Sequence, residues 1–456
     1  MCTRLLLLAA FLLTAAPALA ESPPWGTGES RGEDLSISLV TFGPSEEIVS
    51  WFGHAAFVVE DRRLGRQRLY NYGMFSFDEK MLAKFAMGRL EFWVGEESAG
   101  RTLRFYRAEN RDVRIQELNL APAKRVLLAR MLADNVLPEN RDYLYHHYFD
   151  NCSTRLRDGI DTAVDGALSA ADRVPGRMTL REHTRRHSSV LPPMSVLLDF
   201  LMNDEIDQPI TRWEEAFLPG ELETQVAALR IPGPDGAPVP LVARAITYYQ
   251  STRPPLPVTP PVYEPWLALI GTSLGGIAVA LALWARRGAR AARVLLGSYH
   301  AFLGLALGLP GTILLVMWLV TNHTVTFRNE NLFLANPLTL LALPLGLGVA
   351  RGSQKALVRL SRLWPLLVAL ALLGLCLKVL PRFDQDNLRL VVLLLPVLAG
   401  AAVSSVIAGP LSLQQLFRRG EHHGNGRRAE NRNLSGAPER APGASLTSNA
   451  SGAASR

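Results

Sequence analysis

The chain has 456 residues, 48% of them hydrophobic, and a formal net charge of +7. That length accommodates two or three domains and a sizeable core. The arginines cluster between apolar runs and in the C-terminal tail, so the excess charge points to a membrane surface and excludes nucleic acid as the favoured partner.

The first residues, MCTRLLLLAAFLLTAAPALA, place Arg4 before an apolar run of roughly ten residues and Ala-Leu-Ala before Glu21. This reads as a secretory signal over 1–20, too short for a comfortable membrane span, with an uncleaved anchor as the alternative. Cys2 precedes the apolar run and is not read as a lipoprotein attachment site. Removal of the signal leaves Cys152 and Cys376, the latter inside a later apolar run. No disulfide framework is then available to the exported part, and Cys152 is a lone thiol in an oxidising compartment.

Residues 21–250 are predicted to form an exported α+β domain. LSISLVTFGP reads as a strand ending at Gly43-Pro44, and SWFGHAAFVVED as a second strand with His54 near its start. Asp61–Gln67 is a turn, and RLYNYG, which carries Asn71, is the paired strand of a hairpin. FDEKMLAKFAMG has helical spacing and closes on Gly88. LEFWVGE, TLRFYRAE and DVRIQELNL read as strands, and APAKRVLLARMLADNV as a helix with Pro122 in its first turn.

In NCSTRLRDGIDTAV, Leu156, Ile160 and Ala163 fall at helical spacing, and Asn151 is the expected N-cap. Cys152 then sits in the first turn, where free N–H groups and the helix dipole favour a thiolate, with Arg155 one turn on. The setting Asp-Asn-Cys-Ser-Thr-Arg favours a nucleophile over a buried apolar cysteine. The candidate bases are His54, His146, His147, His183 and His187. His54 is preferred because a rigid strand holds it and Gly53 allows close backbone approach. Asn71, on the paired strand, is the candidate to orient its ring. REHTRRH, which holds His183 and His187, reads as a solvated helical face. Trp51, Phe52, Tyr70, Tyr72, Phe75, Phe92 and Trp93 supply either core or an acyl groove. A small hairpin is expected around GPDGAPVP.

STRPPLPVTPPVYEP is a semi-rigid linker (251–265). A membrane domain (266–410) follows, with five apolar stretches near 266–285, 294–320, 333–350, 363–380 and 388–408. Gly308 and Pro310 interrupt the second. The first and third connections are rich in Arg and Lys and belong in the cytoplasm by charge, which leaves the preceding domain outside. Between the second and third stretches, TNHTVTFRNEN groups His323, Arg328, Asn329, Glu330 and Asn331 as either a solvated loop or a headgroup or substrate contact. The tail (411–456) has no apolar period and reads as a disordered cytoplasmic segment.

The segments FGHAAFVV, LYNYGMFSF, LPENRDYLYHHYFDNCSTRLRD, DQPITRWEEAFLP and HTVTFRNENLFLANPL together resemble the Lnb-type bacterial lipoprotein N-acyltransferases. The order of histidine strand and cysteine helix is that of permuted papain-like (NlpC-like) thiol enzymes. The resemblance implies a periplasmic thiol-enzyme domain followed by an all-α domain of about five transmembrane helices, in the bacterial inner membrane. It implies transfer of an acyl chain from a phospholipid donor through a Cys152 thioester to the N-terminal amine of a diacylglyceryl-modified apolipoprotein, amid membrane lipids. No cofactor or metal is implied. Cys152 and His54 carry over as the catalytic pair, with Asn71 beside them. Arg155, His147, His323, Asn329 and Asn331 are candidate substrate contacts. A cell-wall peptidase or amidase would use the same pair, and a membrane receptor or transporter subunit is the non-enzymatic alternative. The near absence of intramembrane charge weighs against transport.

Overall fold

The computed structural model describes residues 25–76 and 79–409; the signal segment and the tail expected from sequence lie outside them. Three strands open the domain: β1 (Leu35–Phe42), β2 (His54–Asp61) and β3 (Arg66–Met74). β1 and β2 pair antiparallel without a slip from Leu35↔Asp61 to Phe42↔His54. Alternating side chains divide between two cores. Ile37, Leu39, Ala55, Phe57, Tyr70 and Tyr72 fill one face of the sheet, and Val40, Phe42, Ala56, Val58 and Leu69 the other.

Helix α1 (Glu79–Ala86) leads to β4 (Glu91–Glu97), which is followed by α2 (Ala99–Ala108) and β5 (Val113–Leu118). TLRFYRAE is thus helical, not a strand. Ala99, Leu103 and Tyr106 recur at helical spacing and pack on the second core, and this tertiary burial outweighs the β propensity of an aromatic-rich segment. Helix α3 (Pro122–Asn135) starts at its proline, as expected.

Strand β6 (Asp142–Leu144) precedes α4 (Cys152–Ala163), which buries Leu156, Ile160 and Ala163 against the first core. Each such side chain contributes roughly 1.5–3 kcal/mol. Short helices α5 (Ala167–Ala171), α6 (Leu180–His187), α7 (Pro192–Leu201), α8 (Arg212–Glu215) and α9 (Pro219–Ala228) follow. The expected hairpin is β7 (Arg230–Pro232) with β8 (Pro238–Pro240). Strand β9 (Val242–Tyr249), not recognised in the sequence, completes a seven-stranded sheet in the order β6-β4-β3-β2-β1-β5-β9.

The second domain is helical: α10 (Glu264–Arg286), α11 (Arg290–Val320), α12 (Ala342–Ala350), α13 (Gln354–Leu377) and α14 (Leu388–Ala408). Four of these are long and apolar enough to span a membrane. The third predicted stretch, 333–350, is instead part of a pair of helical segments, Thr324–Phe333 and Pro337–Ala350, bent by 56°. Helix α11 runs through Gly308 and Pro310 without a break. Glycines let the helices touch. A Cβ on Gly275 of α10 would lie 2.4 Å from Pro396 O on α14, so this crossing requires a residue without a side chain.

A buried ionic cluster joins the two domains. Asp199 on α7 accepts from Arg185 at 2.9 Å and from Arg389 at 3.1 Å, and pairs with Arg181 at 3.4 Å. Arg185 also reaches Asp386, and Arg389 reaches Glu264. The run REHTRRH is therefore not a solvated face. Its arginines neutralise carboxylates shared with the membrane helices, and His183 is buried against Glu215 at 2.9 Å.

Candidate active site

Strands β2 and β3 are paired only from Asp61↔Arg66 to Phe57↔Tyr70. Beyond that point they part, and the candidate residues gather in the gap. His54 opens β2 directly after Gly53, whose φ is +81°. A Cβ on Gly53 would stand 2.9 Å from Phe42 O, so the turn into the strand needs glycine on both counts. The imidazole lies near Phe42 and Tyr106, with ring centroids 6.0 and 6.1 Å away.

Across the gap, His54 Nε2 is 2.6 Å from Asn71 Oδ1. Asn71 is buried, and its Nδ2 donates to Glu97 Oε2 at 3.4 Å, which also accepts from Thr102 Oγ1 at 2.9 Å. With the amide N–H groups turned to Glu97, the amide oxygen faces His54. Nε2 therefore carries the ring proton and donates it to Asn71, which leaves Nδ1 as the basic nitrogen. Glu97 and Thr102 had no signal in the sequence, because strand pairing and the next helix bring them in.

Cys152 enters from the helical layer. Asn151 caps α4 by accepting from Ser153 N and Thr154 N at 2.8 and 2.9 Å, with the reciprocal Thr154 bond of a capping box. Its Nδ2 also donates to His147 O and Phe217 O at 2.6 and 3.0 Å, so this residue ties two other segments to the start of the helix. The half-buried sulfur accepts from the backbone N–H of Ala55, the residue after His54, and from the N–H groups of Ser153 and Cys152 itself. Gly73, at the bulged end of β3, faces it: a Cβ there would be 3.8 Å from Cys152 Cβ. The structure thus brings Cys152, His54 and Asn71 to one place.

The protonation states differ from the sequence expectation. Burial pushes the Cys152 thiol up to about 11, against the opposing pull of the three backbone N–H groups and Arg111. Burial likewise pushes His54 down to about 4, against the Asn71 hydrogen bond, with Arg111 adding to the fall. The resting pair is a neutral thiol and a neutral imidazole, because desolvation outweighs the helix dipole here. Arg111, also unforeseen, is buried, donates to Gly43 O at 2.7 Å and Ser50 Oγ at 3.1 Å, and stacks on Tyr106. It clamps the loop that delivers His54.

The other candidate contacts are engaged elsewhere. Arg155 forks onto Asp150 at 2.5 and 2.7 Å and lies over the Tyr143 ring, so its charge is paired away from the thiol. His147 packs edge-on against Phe52 at 4.2 Å, and burial lowers its pKa to about 4. Asn329 and Asn331 are buried and donate to the carbonyls of Phe200, Leu201 and Asp199 at the end of α7. The loop is therefore neither solvated nor open to substrate at these residues, but docks the two domains. His323 donates to Phe85 O at 3.0 Å. Of the aromatic set, Trp51, Tyr70 and Tyr72 are core, whereas Phe75 and Phe92 pair near the surface at 5.2 Å.

Comparison with known families gives two matches: the Lnb N-terminal periplasmic domain over residues 21–186 and the Lnb transmembrane domain over residues 270–404. No curated protein and no solved structure matches the chain significantly. The two family matches together take in well over half of the sequence and fall within the sheet domain, whose first six strands the first match covers, and the helical domain. The chain belongs to the Lnb family, as a multi-pass membrane protein with a periplasmic N-terminal domain.

Proposed function

We propose that this protein is a lipoprotein N-acyltransferase that carries the acyl chain on Cys152. The observation that supports this most is the placement of one thiol, at a capped helix start, against the backbone N–H of Ala55, which directly follows a histidine whose tautomer is set by a buried amide. In this reading the Cys152 sulfur attacks the carbonyl carbon of a phospholipid ester while His54 Nδ1 takes the thiol proton. The tetrahedral oxyanion is held by backbone N–H groups at the helix start. Collapse breaks the ester C–O bond, and the departing glycerol oxygen takes the proton back from His54. The products of this half are a lysophospholipid and a thioester.

In the second half, the α-amine of a diacylglyceryl-cysteine lipoprotein attacks the thioester. His54 removes the amine proton and returns it to the leaving sulfur, giving an amide and the free thiol. A neutral resting pair suits both halves, since each begins with an uncharged imidazole and passes one proton. We place the chain in the bacterial inner membrane with the arginine-rich ends of α10 and α11, and the tail, in the cytoplasm.

The test is intact-mass analysis of the purified protein in vesicles of acyl-labelled phospholipid, followed by addition of the apolipoprotein. A labelled adduct on Cys152 that hydroxylamine removes, and then appears on the lipoprotein amine, is expected. N-acylation that persists at the wild-type rate in Cys152→Ser overturns the proposal, as does peptide hydrolysis without acyl transfer. If the chain is lost from the acceptor's own diacylglyceryl group while the phospholipid stays intact, the donor moves to the acceptor and Cys152 remains the carrier.

A further inference from the structure

Strand β3 carries Asn71 and Gly73 past the thiol, ends at Met74, and gives way through Phe75 to α1. The far end of α1 touches the membrane domain. Asn322 donates to Met87 O from its backbone at 2.9 Å and from its side chain at 3.2 Å. His323 Nε2 donates to Phe85 O, closing the last turn of the helix. Gly88 lies so close that a Cβ would be 2.7 Å from Asn322 C and His323 N. Asn322 is two residues past the end of α11, roughly 7 Å of chain, so this contact lies at the edge of the hydrocarbon layer.

The exposed side chains on both sides of that contact are apolar. Leu319 and Val320, at the end of α11, are 69% and 59% exposed, and Trp318 stands beside them where interfacial aromatics gather. Phe85 and Met87 continue the band on the periplasmic domain, at 51% and 43% exposed. Such side chains on a surface facing water would be an unpartnered patch, whereas against a bilayer they are buried. Further aromatic rings stand nearer the site. Phe75 meets Phe92 at 5.2 Å, Phe92 stacks on Tyr145 at 4.4 Å, and the Tyr145 phenol lies within electrostatic range of Cys152.

We propose that the Phe85–Gly88 turn of α1 is seated in the lipid leaflet and forms the lip over which an acyl chain passes from the bilayer to Cys152. The occupant of this surface is membrane lipid, given the lipid-facing end of α11 that it extends. The seating stands on geometry alone, and the delivery of the chain rests on the acyl-transfer reading above.

The experiment places p-benzoylphenylalanine at position 85 of the full chain, in vesicles of phosphatidylglycerol and phosphatidylethanolamine with radiolabelled acyl chains. A control carries the same probe at Leu64, in the turn at the opposite end of β2. Lipid crosslinking at position 85 well above that at position 64 is the expected result; equal or absent crosslinking overturns the seating. In a second arm, F85S/M87S should slow thioester formation from vesicle phospholipid about tenfold while leaving the reaction with soluble p-nitrophenyl butyrate unchanged. An equal fall with both esters, or no fall with either, overturns the delivery role. If the wild-type protein forms no thioester from either ester, the acyl-transfer reading and the delivery role fall with it, and the crosslink alone decides the seating.

Discussion

Asn71 offers the sharpest probe of the site, because its two bonds have separable consequences. Asn71→Ala removes the 2.6 Å acceptor of His54 Nε2–H and leaves Glu97 bonded to Thr102. The ring then loses both its orientation and its tautomer preference. A hydrogen bond of this kind is worth about 1–3 kcal/mol when its partner is left unsatisfied, which is roughly 5- to 150-fold in rate. Asn71→Asp keeps an acceptor but puts a negative charge beside the imidazole. It also sets a second carboxyl against Glu97, 3.4 Å from the present amide nitrogen. The imidazolium is then favoured, and the His54 pKa rises from about 4 towards the ordinary histidine value. Because the base must be neutral to act, a raised pKa means that activity is lost at a higher pH as the solution is acidified. Rates of acyl-thioester formation by quenched intact-mass analysis, from about pH 5 to pH 8, read both effects. The wild-type profile should have no His54 limb in that range. Asn71→Ala should be lower by one factor throughout, and Asn71→Asp should bend downwards on the acid side. An unchanged rate in the first variant together with an unmoved acid limb in the second would refute the orienting role of Asn71.

Three further outcomes test the rest of the account. Alkylation of Cys152 by iodoacetamide should rise about tenfold per pH unit through neutral and mildly alkaline pH, as a thiol pushed up to about 11 requires; a rate flat across that range would mean a preformed thiolate. Asp199→Asn leaves the buried Arg185 and Arg389 without their shared carboxylate and should destabilise the domain junction by about 3–5 kcal/mol, read as a fall in thermal unfolding temperature in detergent. Gly275→Val should cost about 1–3 kcal/mol by forcing α10 from α14, whereas Gly276→Val, whose Cβ would meet nothing within 4 Å, should be near neutral in the same assay.

Local chemistry made a good part of the protein legible from its residues. The cap before Cys152, the proline that starts α3, the β2–β3 hairpin and the long apolar runs each depend on neighbours a few positions apart. His54 and Asn71 could be paired on paper because two antiparallel strands joined by a tight turn lie side by side. The failures share the opposite character. The TLRFYRAE segment is a helix because of the core it lands on. REHTRRH is buried because carboxylates from three other elements come to meet it.

The sequence alone therefore determined that this is an exported α+β domain with one candidate thiol ahead of a set of apolar helices, since those features follow from periodicity, capping and runs of apolar residues. Only the tertiary structure decided how the site is charged and what stands around it. The Cys152 thiol is held neutral and not ionised, Glu97 and Arg111 join the site, and Asn329 and Asn331 leave it. The physical reason is that desolvation and long-range hydrogen bonding depend on what the fold packs around a group, and residues distant in the chain supply that packing.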